Sequence, residues 1–313
     1  MLRLVNHDTL NAIMRRLSLA PVVSSHPLTA PANRTGSRML VLESGERWAI
    51  KFDDDPSSDG QGWWREYVGW RRARRAGVPC AEEVIVLPPE EPWNCGVCCV
   101  KQIPGVTGDL MLNSTPSLLP MALRSVGKAM AEWHKAKTLA PEELFTPFFD
   151  HLVSRDRFAQ SFEARTVQLA ESGLVSQPLR ARLIFFLDQN LHRFDENTLV
   201  PIHGDANIAN MLFDRSAGAL SGLLDFETLS VGPARYDLAP LYGAMSCAYY
   251  TKRTFVNDPD WMFLWEGYTG TIEFRPEDRL ELTLYTLDAL LHAPFVPDYW
   301  YSVFASLVLD GIA

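Results

Sequence analysis

Residues 203–210 read His-Gly-Asp-Ala-Asn-Ile-Ala-Asn and residues 223–226 read Leu-Leu-Asp-Phe, and these two short segments decide the fold. Asp205 is followed five positions later by Asn210, and a second aspartate, Asp225, ends a hydrophobic run. Phosphoryl transfer from a nucleotide needs a carboxylate beside the attacking hydroxyl and oxygen ligands for Mg²⁺. We therefore predict that Asp205 is a catalytic base and that Asn210 and Asp225 are magnesium ligands.

The residues that join these segments predict a β-hairpin. Residues 210–213 and 220–226 are apolar enough for two short strands, and residues 214–218 have the composition of a turn. Because the strands of a hairpin are antiparallel, the start of the first lies beside the end of the second. Asn210 and Asp225 are therefore expected to share a cation with oxygen-only coordination. The alternative is a polar hairpin with acids there by chance.

Upstream, Lys51 is the candidate cation for the α and β phosphates of a nucleotide. Residues 39–42 and 48–52 predict the two strands of another hairpin, and Lys51 lies on the second strand. A lysine on a strand ordinarily faces solvent. Residues 63–76 predict a helix soon afterwards, and the carboxylate of its Glu66 is expected to orient the Lys51 ammonium.

Two further segments are expected to contact the nucleotide. The loop of residues 32–37, which ends at Ser37, is the candidate cover of backbone amides over the phosphates. It contains one glycine and no GxGxxG pattern, so the alternative is a plain connecting loop. Residues 99–105 are the candidate connector between two lobes, in which backbone groups at Lys101 and Ile103 would pair with the adenine edge.

Length and composition indicate a soluble protein with two unlike lobes. The chain has 313 residues, of which 47% are hydrophobic and 21% are charged. Its first third has mainly strand patterns and the remainder mainly helical ones, which predicts an α+β fold. We predict an N-terminal nucleotide-binding lobe (residues 1–100), a hinge (residues 101–105) and a C-terminal lobe for catalysis and acceptor binding (residues 106–313).

The distribution of charge bears on the partners. The net charge is −9, and residues 223–313 hold 13 Asp and Glu against 5 Lys and Arg. An acidic surface attracts cationic substrates, although solvated helix faces give the same composition. The negative charge argues against a nucleic-acid partner.

Apolar runs and cysteines bear on the compartment. No apolar run reaches the roughly 20 residues that span a membrane. The number of cysteines, five, is odd and fits a reducing compartment. A cytoplasmic protein without a membrane partner is therefore expected.

Two other features suggest structural roles. Asp237 precedes an apolar helix and is expected either to cap that helix or to brace the loop that carries Asp205. Four arginines between residues 71 and 75 lie at the C-terminus of a predicted helix, where their charge would complement the helix dipole.

Several motifs together resemble a family signature. They are His203-Gly204-Asp205, Asn210, Leu224-Asp225-Phe226-Glu227, and Gly232 through Asp237-Leu238-Ala239. This set resembles the aminoglycoside phosphotransferase family, which shares the protein-kinase-like fold with choline kinases and one type of homoserine kinase. The resemblance covers roughly residues 30–245. It implies a two-lobed kinase-like fold, ATP and Mg²⁺ as cofactors, and the roles predicted above for Asp205, Asn210, Asp225 and Lys51.

Departures from protein kinases point to a small-molecule acceptor. No lysine lies two residues after Asp205, and Phe226 is followed by Glu227 instead of glycine. The resemblance implies transfer of the γ-phosphoryl group to a hydroxyl of a small molecule. An aminoglycoside or another amine-bearing antibiotic is one alternative, and a sugar, an amino alcohol, homoserine or choline is another. A pseudokinase that binds nucleotide without catalysis is a third, although such a protein need not keep all four predicted residues.

Overall fold

The computed structural model describes residues 6–28, 37–53, 60–91, 93–136, 143–246 and 260–292. Within them the helices are α1 (His7–Arg16), α2 (Gly62–Ala76), α3 (Gly108–Ser114), α4 (Leu119–Lys135), α5 (Arg155–Glu171), α6 (Gln177–Asn190), α7 (Ala239–Ser246), α8 (Asp260–Thr269) and α9 (Pro276–His292). The strands are β1 (Val22–Pro27), β2 (Arg38–Leu42), β3 (Arg47–Asp53), β4 (Val84–Leu87), β5 (Gly96–Lys101), β6 (Val106–Thr107), β7 (Leu199–Ile202), β8 (Met211–Phe213), β9 (Leu220–Leu223) and β10 (Ser230–Pro233). The α+β class that the sequence predicts is confirmed.

The strands of the first third form one five-stranded antiparallel sheet in the order β1-β2-β3-β5-β4. The predicted hairpin is present as β2 and β3, with Arg38 opposite Ile50 and Val41 opposite Arg47. The sequence pattern did not indicate β1, which adds an edge strand beside β2. Its Pro27 suits an edge, because proline has no N–H to donate to a neighbouring strand.

The two faces of this sheet pack against different helices, and this determines where Lys51 lies. Ile50 is buried in a cluster with Leu10 of α1. Ala49 packs in a second cluster, which includes Trp63 of α2. Because side chains alternate between the faces of a strand, Lys51 shares the face of Ala49 and lies toward α2.

Helix α2 packs against both the sheet and the segment that follows β9. It ends at Gly77, whose φ of 71° is a left-handed conformation that glycine adopts without a steric penalty. In its middle, a Cβ added to Gly69 would lie 2.4 Å from Cβ of Phe226. A glycine is therefore needed there for α2 to approach the Asp225–Phe226 segment so closely.

Two small sheets hold the segment that carries Asp205. The predicted hairpin is present as β8 and β9, with Met211 opposite Leu223, and β6 adds a third strand. β7 pairs antiparallel with β10, with Ile202 opposite Ser230. The loop of residues 203–210 thus runs from the end of one paired strand to the start of another, and both of its ends are anchored.

Helices build the rest of the second half. Helix α4 packs tightly on α8, since a Cβ on Gly127 would lie 2.2 Å from the carbonyl oxygen of Leu264. Helices α5, α6 and α9 surround another buried cluster that includes Phe158 and Tyr285. In the part of the chain that the structure describes, none of the helices has the length and apolar character needed to cross a bilayer. Of the expected hinge, Lys101 is the last residue of β5 and residues 102–105 lie between β5 and β6. The division into lobes at this hinge stays a prediction.

Candidate active site

Asp205 lies in a loop that holds its carboxylate by side-chain amides. Asn207 Nδ2 donates to Oδ1 at 2.7 Å, and Asn210 Nδ2 donates to Oδ2 at 3.0 Å and to the Asp205 carbonyl at 2.9 Å. Burial raises the pKa of Asp205, while the hydrogen bond from Asn207 opposes the shift. The carboxylate is therefore fixed in direction and weakly solvated, as a group that receives a proton from a bound hydroxyl should be.

Asn210 has an oxygen to spare for a cation. Its Nδ2 is occupied by Asp205, whereas Oδ1 receives no hydrogen bond from any residue that the structure describes. Leu224 N–H donates to the Asn210 carbonyl at 2.9 Å, which extends the pairing of Met211 with Leu223 by one step. Asn210 and Asp225 therefore flank the same end of the β8–β9 hairpin, as the sequence predicts.

Asp225 has an unusual backbone conformation for a residue with a side chain. Its φ of 67° and ψ of 60° are left-handed, a region that aspartate tolerates better than most residues but at a cost. Lys51 Nζ lies 2.8 Å from Asp225 Oδ1. The strained turn after β9 therefore places the carboxylate against the cation on β3.

Lys51 also contacts Glu66 of α2, with Nζ 3.3 Å from Oε2. The Lys51 side chain is 27% exposed and that of Glu66 is 6% exposed. Burial alone would lower the pKa of Lys51, but the carboxylates of Asp225 and Glu66 raise it well above its usual value. Burial raises the pKa of Glu66, and Lys51 opposes that shift. Lys51 thus stays charged between the two carboxylates.

Asp237 braces the loop that carries Asp205. Its Oδ2 accepts the backbone N–H of His203 and its Oδ1 accepts that of Gly204, both at 2.8 Å. His134 Nε2 lies 3.0 Å from Oδ2, and His134 Nδ1 lies 3.0 Å from the hydroxyl of Tyr268. Of the two roles expected for Asp237, bracing the loop is confirmed.

His203 orients the loop through both ring nitrogens. Its Nε2 donates to the carbonyl of Leu224 at 2.8 Å, so its Nδ1 is the acceptor for the Asp205 N–H at 3.3 Å. Thr228 donates to the His203 carbonyl at 2.9 Å. Gly204 has a φ of 84°, and a Cβ there would lie 2.3 Å from the Thr228 carbonyl oxygen. The loop is thus tied to the Asp225 segment at several points.

Two arginines of α2 have roles that sequence reasoning missed. Arg65 is buried, and its Nε donates to the carbonyl of Glu227, which supports the segment after Asp225. The four arginines of residues 71–75 were expected to complement the helix dipole. Only Arg74 and Arg75 lie in the last turn of α2, and Arg72 lies inside the protein. Its guanidinium is fully buried 5.1 Å from the ring of Trp133 and donates to the Trp133 carbonyl, and burial lowers its pKa to about 10. A sequence gives no sign of this, because buried and exposed arginines share the same helical spacing.

The predicted nucleotide contacts outside this cluster differ in whether their polar groups already have hydrogen-bond partners within the protein. Lys101 N–H donates to the Glu83 carbonyl at 2.9 Å, and Lys101 Nζ pairs with Glu46 at 3.1 Å. Ile103 N–H has no acceptor among the described residues, and the Ile103 side chain packs on Gly222 of β9. Ser37 lies immediately before β2, where its carbonyl accepts the Leu28 N–H at 3.0 Å. Residues 32–36 of the expected phosphate loop lie outside the described residues.

Three acids of the last third form ion pairs with arginines of the same chain. Arg235 pairs with Asp278 at 2.8 Å and with Glu281 at 2.7 Å, and Arg124 pairs with Glu266 at 2.7 Å. Part of the negative charge that suggested a cationic acceptor therefore has an internal partner.

Substitution of Gly69 by alanine tests the contact between α2 and the Asp225 segment. The new Cβ would overlap Phe226, and overpacking of this kind costs about 1–3 kcal/mol. We expect Gly69→Ala to lower the free energy of unfolding in urea by that amount. Gly62→Ala is the matched control on the same helix, since its Cβ would lie 3.5 Å from the nearest atom. Equal urea midpoints for the two variants would show that the close approach does not matter.

A family model described as the phosphotransferase enzyme family matches residues 37–258, well over half of the chain. A search of curated proteins finds no match.

Solved structures with this fold are similar over nearly the whole chain. An aminoglycoside phosphotransferase from Streptomyces rimosus, in complex with ADP and streptomycin, has 19% identity and a TM-score of 0.57, covering 91% of this chain and 99% of its own. A thermostable mutant of another aminoglycoside phosphotransferase, with AMP-PNP and hygromycin B, has 17% identity and a TM-score of 0.62, covering 96% and 97%. A macrolide 2'-phosphotransferase from Brachybacterium faecium has 15% identity and a TM-score of 0.58, covering 91% and 90%. At these identities the likeness establishes the two-lobed kinase-like fold.

Proposed function

The chain belongs to the phosphotransferase enzyme family, and we propose that it is an ATP- and Mg²⁺-dependent O-phosphotransferase that moves the γ-phosphoryl group to a hydroxyl of a small molecule. One observation carries the proposal. Asp205, a fixed carboxylate, is hydrogen-bonded to Asn210. Lys51 is held by Asp225 and Glu66, and Asn210 and Asp225 flank one end of the β8–β9 hairpin. These are the parts that phosphoryl transfer requires.

In this proposal Asp205 positions the acceptor. Its carboxylate accepts a hydrogen bond from the acceptor hydroxyl and receives the proton as that oxygen bonds to the γ-phosphorus. The bond from the γ-phosphorus to the bridging oxygen breaks, and ADP leaves with that electron pair. Because Asn207 and Asn210 already hold the carboxylate oxygens, the acceptor meets a base that needs no reorientation.

The residues around Asp205 fit a magnesium site. The oxygen Oδ1 of Asn210 and the carboxylate of Asp225 are ligands of the hard oxygen type that Mg²⁺ prefers. The bound cation would neutralise charge on the phosphates and on the departing ADP.

Other residues would contact the nucleotide itself. Lys51 would bind the α and β phosphates, and Glu66 would keep the ammonium in place. The Ile103 N–H and the Lys101 carbonyl would pair with the adenine edge. The loop that ends at Ser37 would contact the phosphates.

The acceptor is proposed as a small hydroxylated molecule. The solved relatives include proteins determined with streptomycin and hygromycin B, which favours an amine-bearing antibiotic. The pairing of Asp278, Glu281 and Glu266 with arginines favours the second candidate, a metabolic kinase, with a neutral sugar as its acceptor, because less of the negative charge is left to attract a cation.

Mass spectrometry of reaction mixtures tests this proposal. The protein would be incubated with Mg-ATP and, separately, with aminoglycosides, macrolides, sugars, amino alcohols and nucleosides. We expect one acceptor class to gain a single phosphoryl group with matching release of ADP, and a chelator to stop both. Nucleotide binding without ADP release for every acceptor would instead support the pseudokinase alternative.

Substitution of Lys51 tests the assignment of the phosphate-binding cation. Lys51→Ala removes a charge aimed at the phosphates, and loss of one such group costs about 10²–10³ in rate. We expect kcat/KM for ATP to fall by that factor. Lys135→Ala is the control, since Lys135 is an exposed lysine that also pairs with a carboxylate, Glu132. An unchanged kcat/KM in Lys51→Ala would remove Lys51 from the site.

A further inference from the structure

A chain of hydrogen bonds runs from helix α8 to the loop of residues 203–210, the catalytic loop. It begins at Tyr268 near the end of α8, whose hydroxyl lies 3.0 Å from His134 Nδ1 on α4. His134 Nε2 lies 3.0 Å from Asp237 Oδ2. The Asp237 carboxylate in turn accepts two backbone N–H groups of the catalytic loop, both at 2.8 Å. The proposed transfer has so far given no role to His134 or Tyr268.

The chemistry of the three side chains fixes the direction of each hydrogen bond. A carboxylate only accepts, so His134 Nε2 must carry the proton that it shares with Asp237. In this tautomer Nδ1 is the acceptor, and the Tyr268 hydroxyl is the donor. Burial raises the pKa of Tyr268, so the hydroxyl keeps the proton that it donates. Tyr268 therefore favours the tautomer of His134 that can donate to Asp237.

Close packing between α4 and α8 holds Tyr268 beside His134. A Cβ added to Gly127 would lie 2.2 Å from a carbonyl oxygen of α8, and one added to Gly267 would lie 2.3 Å from a carbonyl oxygen of α4. Neither helix thus has room for a side chain at its glycine. Gly127 and His134 are seven residues apart, so they lie two turns apart on the same face of α4. The contact that sets the separation of the helices also keeps the Tyr268 hydroxyl within hydrogen-bond distance.

We propose that His134 and Tyr268 are positioning residues of the phosphoryl transfer, an inference that rests on the function proposed above. Donation from His134 holds the Asp237 carboxylate in the orientation that accepts the two N–H groups just before Asp205. Without this donor, Asp237 Oδ2 keeps only one of its two described partners, and the carboxylate is free to rotate. Tyr268 acts one step further away, through the tautomer of His134. Displacement of a catalytic group by about 1 Å costs about 10²-fold in rate, so slight relaxation of this chain affects kcat.

A second buried pair of a histidine and a carboxylate provides a matched control. His151 Nε2 lies 3.0 Å from Asp288 Oδ2, and the Tyr236 hydroxyl donates to the same oxygen at 2.9 Å. His151 is 7% exposed and His134 is 6% exposed, so loss of either imidazole removes the same kind of bond from the same kind of setting. Among the described residues, no hydrogen bond joins Asp288 to the catalytic loop. His151→Ala should therefore cost stability without disturbing that loop.

Hydrogen–deuterium exchange of the full-length protein tests the chain without the need for an acceptor. Loss of a hydrogen bond to a charged group corresponds to about 10–100-fold, and loss of one between neutral groups to about 2–10-fold. We expect exchange in the catalytic loop to become faster by the first factor in His134→Ala and by the second in Tyr268→Phe, which removes only a hydroxyl. Exchange there should be unchanged in His151→Ala. Exchange at the rate of the unmodified protein in both His134→Ala and Tyr268→Phe would overturn the proposal.

Kinetics with the acceptor found by mass spectrometry distinguish a positioning role from a purely structural one. We expect kcat to fall by the same factors in His134→Ala and Tyr268→Phe, while the affinity for ATP changes little. His134→Gln should restore most of the kcat, because its amide N–H can replace the Nε2–H. A loss of kcat in His151→Ala as large as in His134→Ala, or no rescue by His134→Gln, would show that these residues contribute only stability. Absence of transfer by the unmodified protein would instead refute the proposed function, and exchange would still decide whether His134 holds the catalytic loop.

Discussion

Asp205→Ala is expected to lower kcat by about 10²–10⁴, the usual contribution of a positioned general base, while the affinity for ATP changes little. The reason lies in the separation of roles within the site. The proposed phosphate contacts are Lys51 on β3 and the ligands of the cation. One of these ligands, Asn210, also donates to the Asp205 main-chain carbonyl at 2.9 Å, a bond that the substitution leaves in place. Removal of the Asp205 carboxylate should therefore spare the binding of nucleotide. ADP release with the acceptor found by mass spectrometry gives kcat, and calorimetry with ATP gives the affinity.

The matched control for this variant is Asp188→Ala. Asp188 is an exposed aspartate on α6, outside the loop of residues 203–210, and its loss should leave both kcat and ATP affinity unchanged. An Asp205→Ala protein that kept most of its activity would show that another group takes the proton. A variant that lost ATP binding as well would mean that the carboxylate supports the nucleotide site, and the separation of roles would be incorrect.

The parts of the site that the sequence predicted are those set by local pattern. The β8–β9 hairpin follows from two apolar runs around a turn, and antiparallel pairing then brings Asn210 and Asp225 to one end. The position of Lys51 on β3 follows from strand alternation, and α2 follows from helical spacing that ends at Gly77. Each of these inferences needs a few consecutive residues and a known periodicity, so the sequence alone was sufficient.

The parts that the sequence did not predict depend on contacts between distant segments. Arg72 has the spacing of a surface arginine, and its burial beside Trp133 is decided by how α2 meets α4. The internal ion pairs of Asp278 and Glu281 with Arg235 likewise cannot be seen in a count of charges. The left-handed backbone of Asp225 is a further example, because the tolerance of aspartate for this conformation does not show, in a sequence, which aspartate adopts it.

Contacts between distant segments also position the loop that carries Asp205, through Asp237. The carboxylate is fully buried and accepts the N–H groups of His203 and Gly204, with His134 as a third partner. A side chain with such a position can be recognised in the sequence only as an acid before an apolar helix. In the structure it is the anchor that fixes the direction of the backbone just before Asp205.

Asp237→Ala is therefore expected to lower the free energy of unfolding by about 3–5 kcal/mol, because it leaves buried donors without an acceptor. At urea concentrations where the variant is still folded, kcat should also fall, because the backbone N–H groups of His203 and Gly204 lose the acceptor that holds the loop before Asp205. Asp214→Ala is the matched control. Asp214 also accepts three hydrogen bonds, from Ser216 N–H, the Ser216 hydroxyl and Ala217 N–H.

Asp214 is exposed in the β8–β9 turn, so water can replace the lost acceptor and the cost should be about 1 kcal/mol or less. Urea unfolding of the two variants compares the same number of lost hydrogen bonds in buried and exposed settings. Similar losses in both would mean that burial of the Asp237 network adds nothing to stability. A large loss in Asp237→Ala alone, partly restored in Asp237→Asn because one acceptor oxygen returns, would establish Asp237 as the residue that holds the catalytic loop in place.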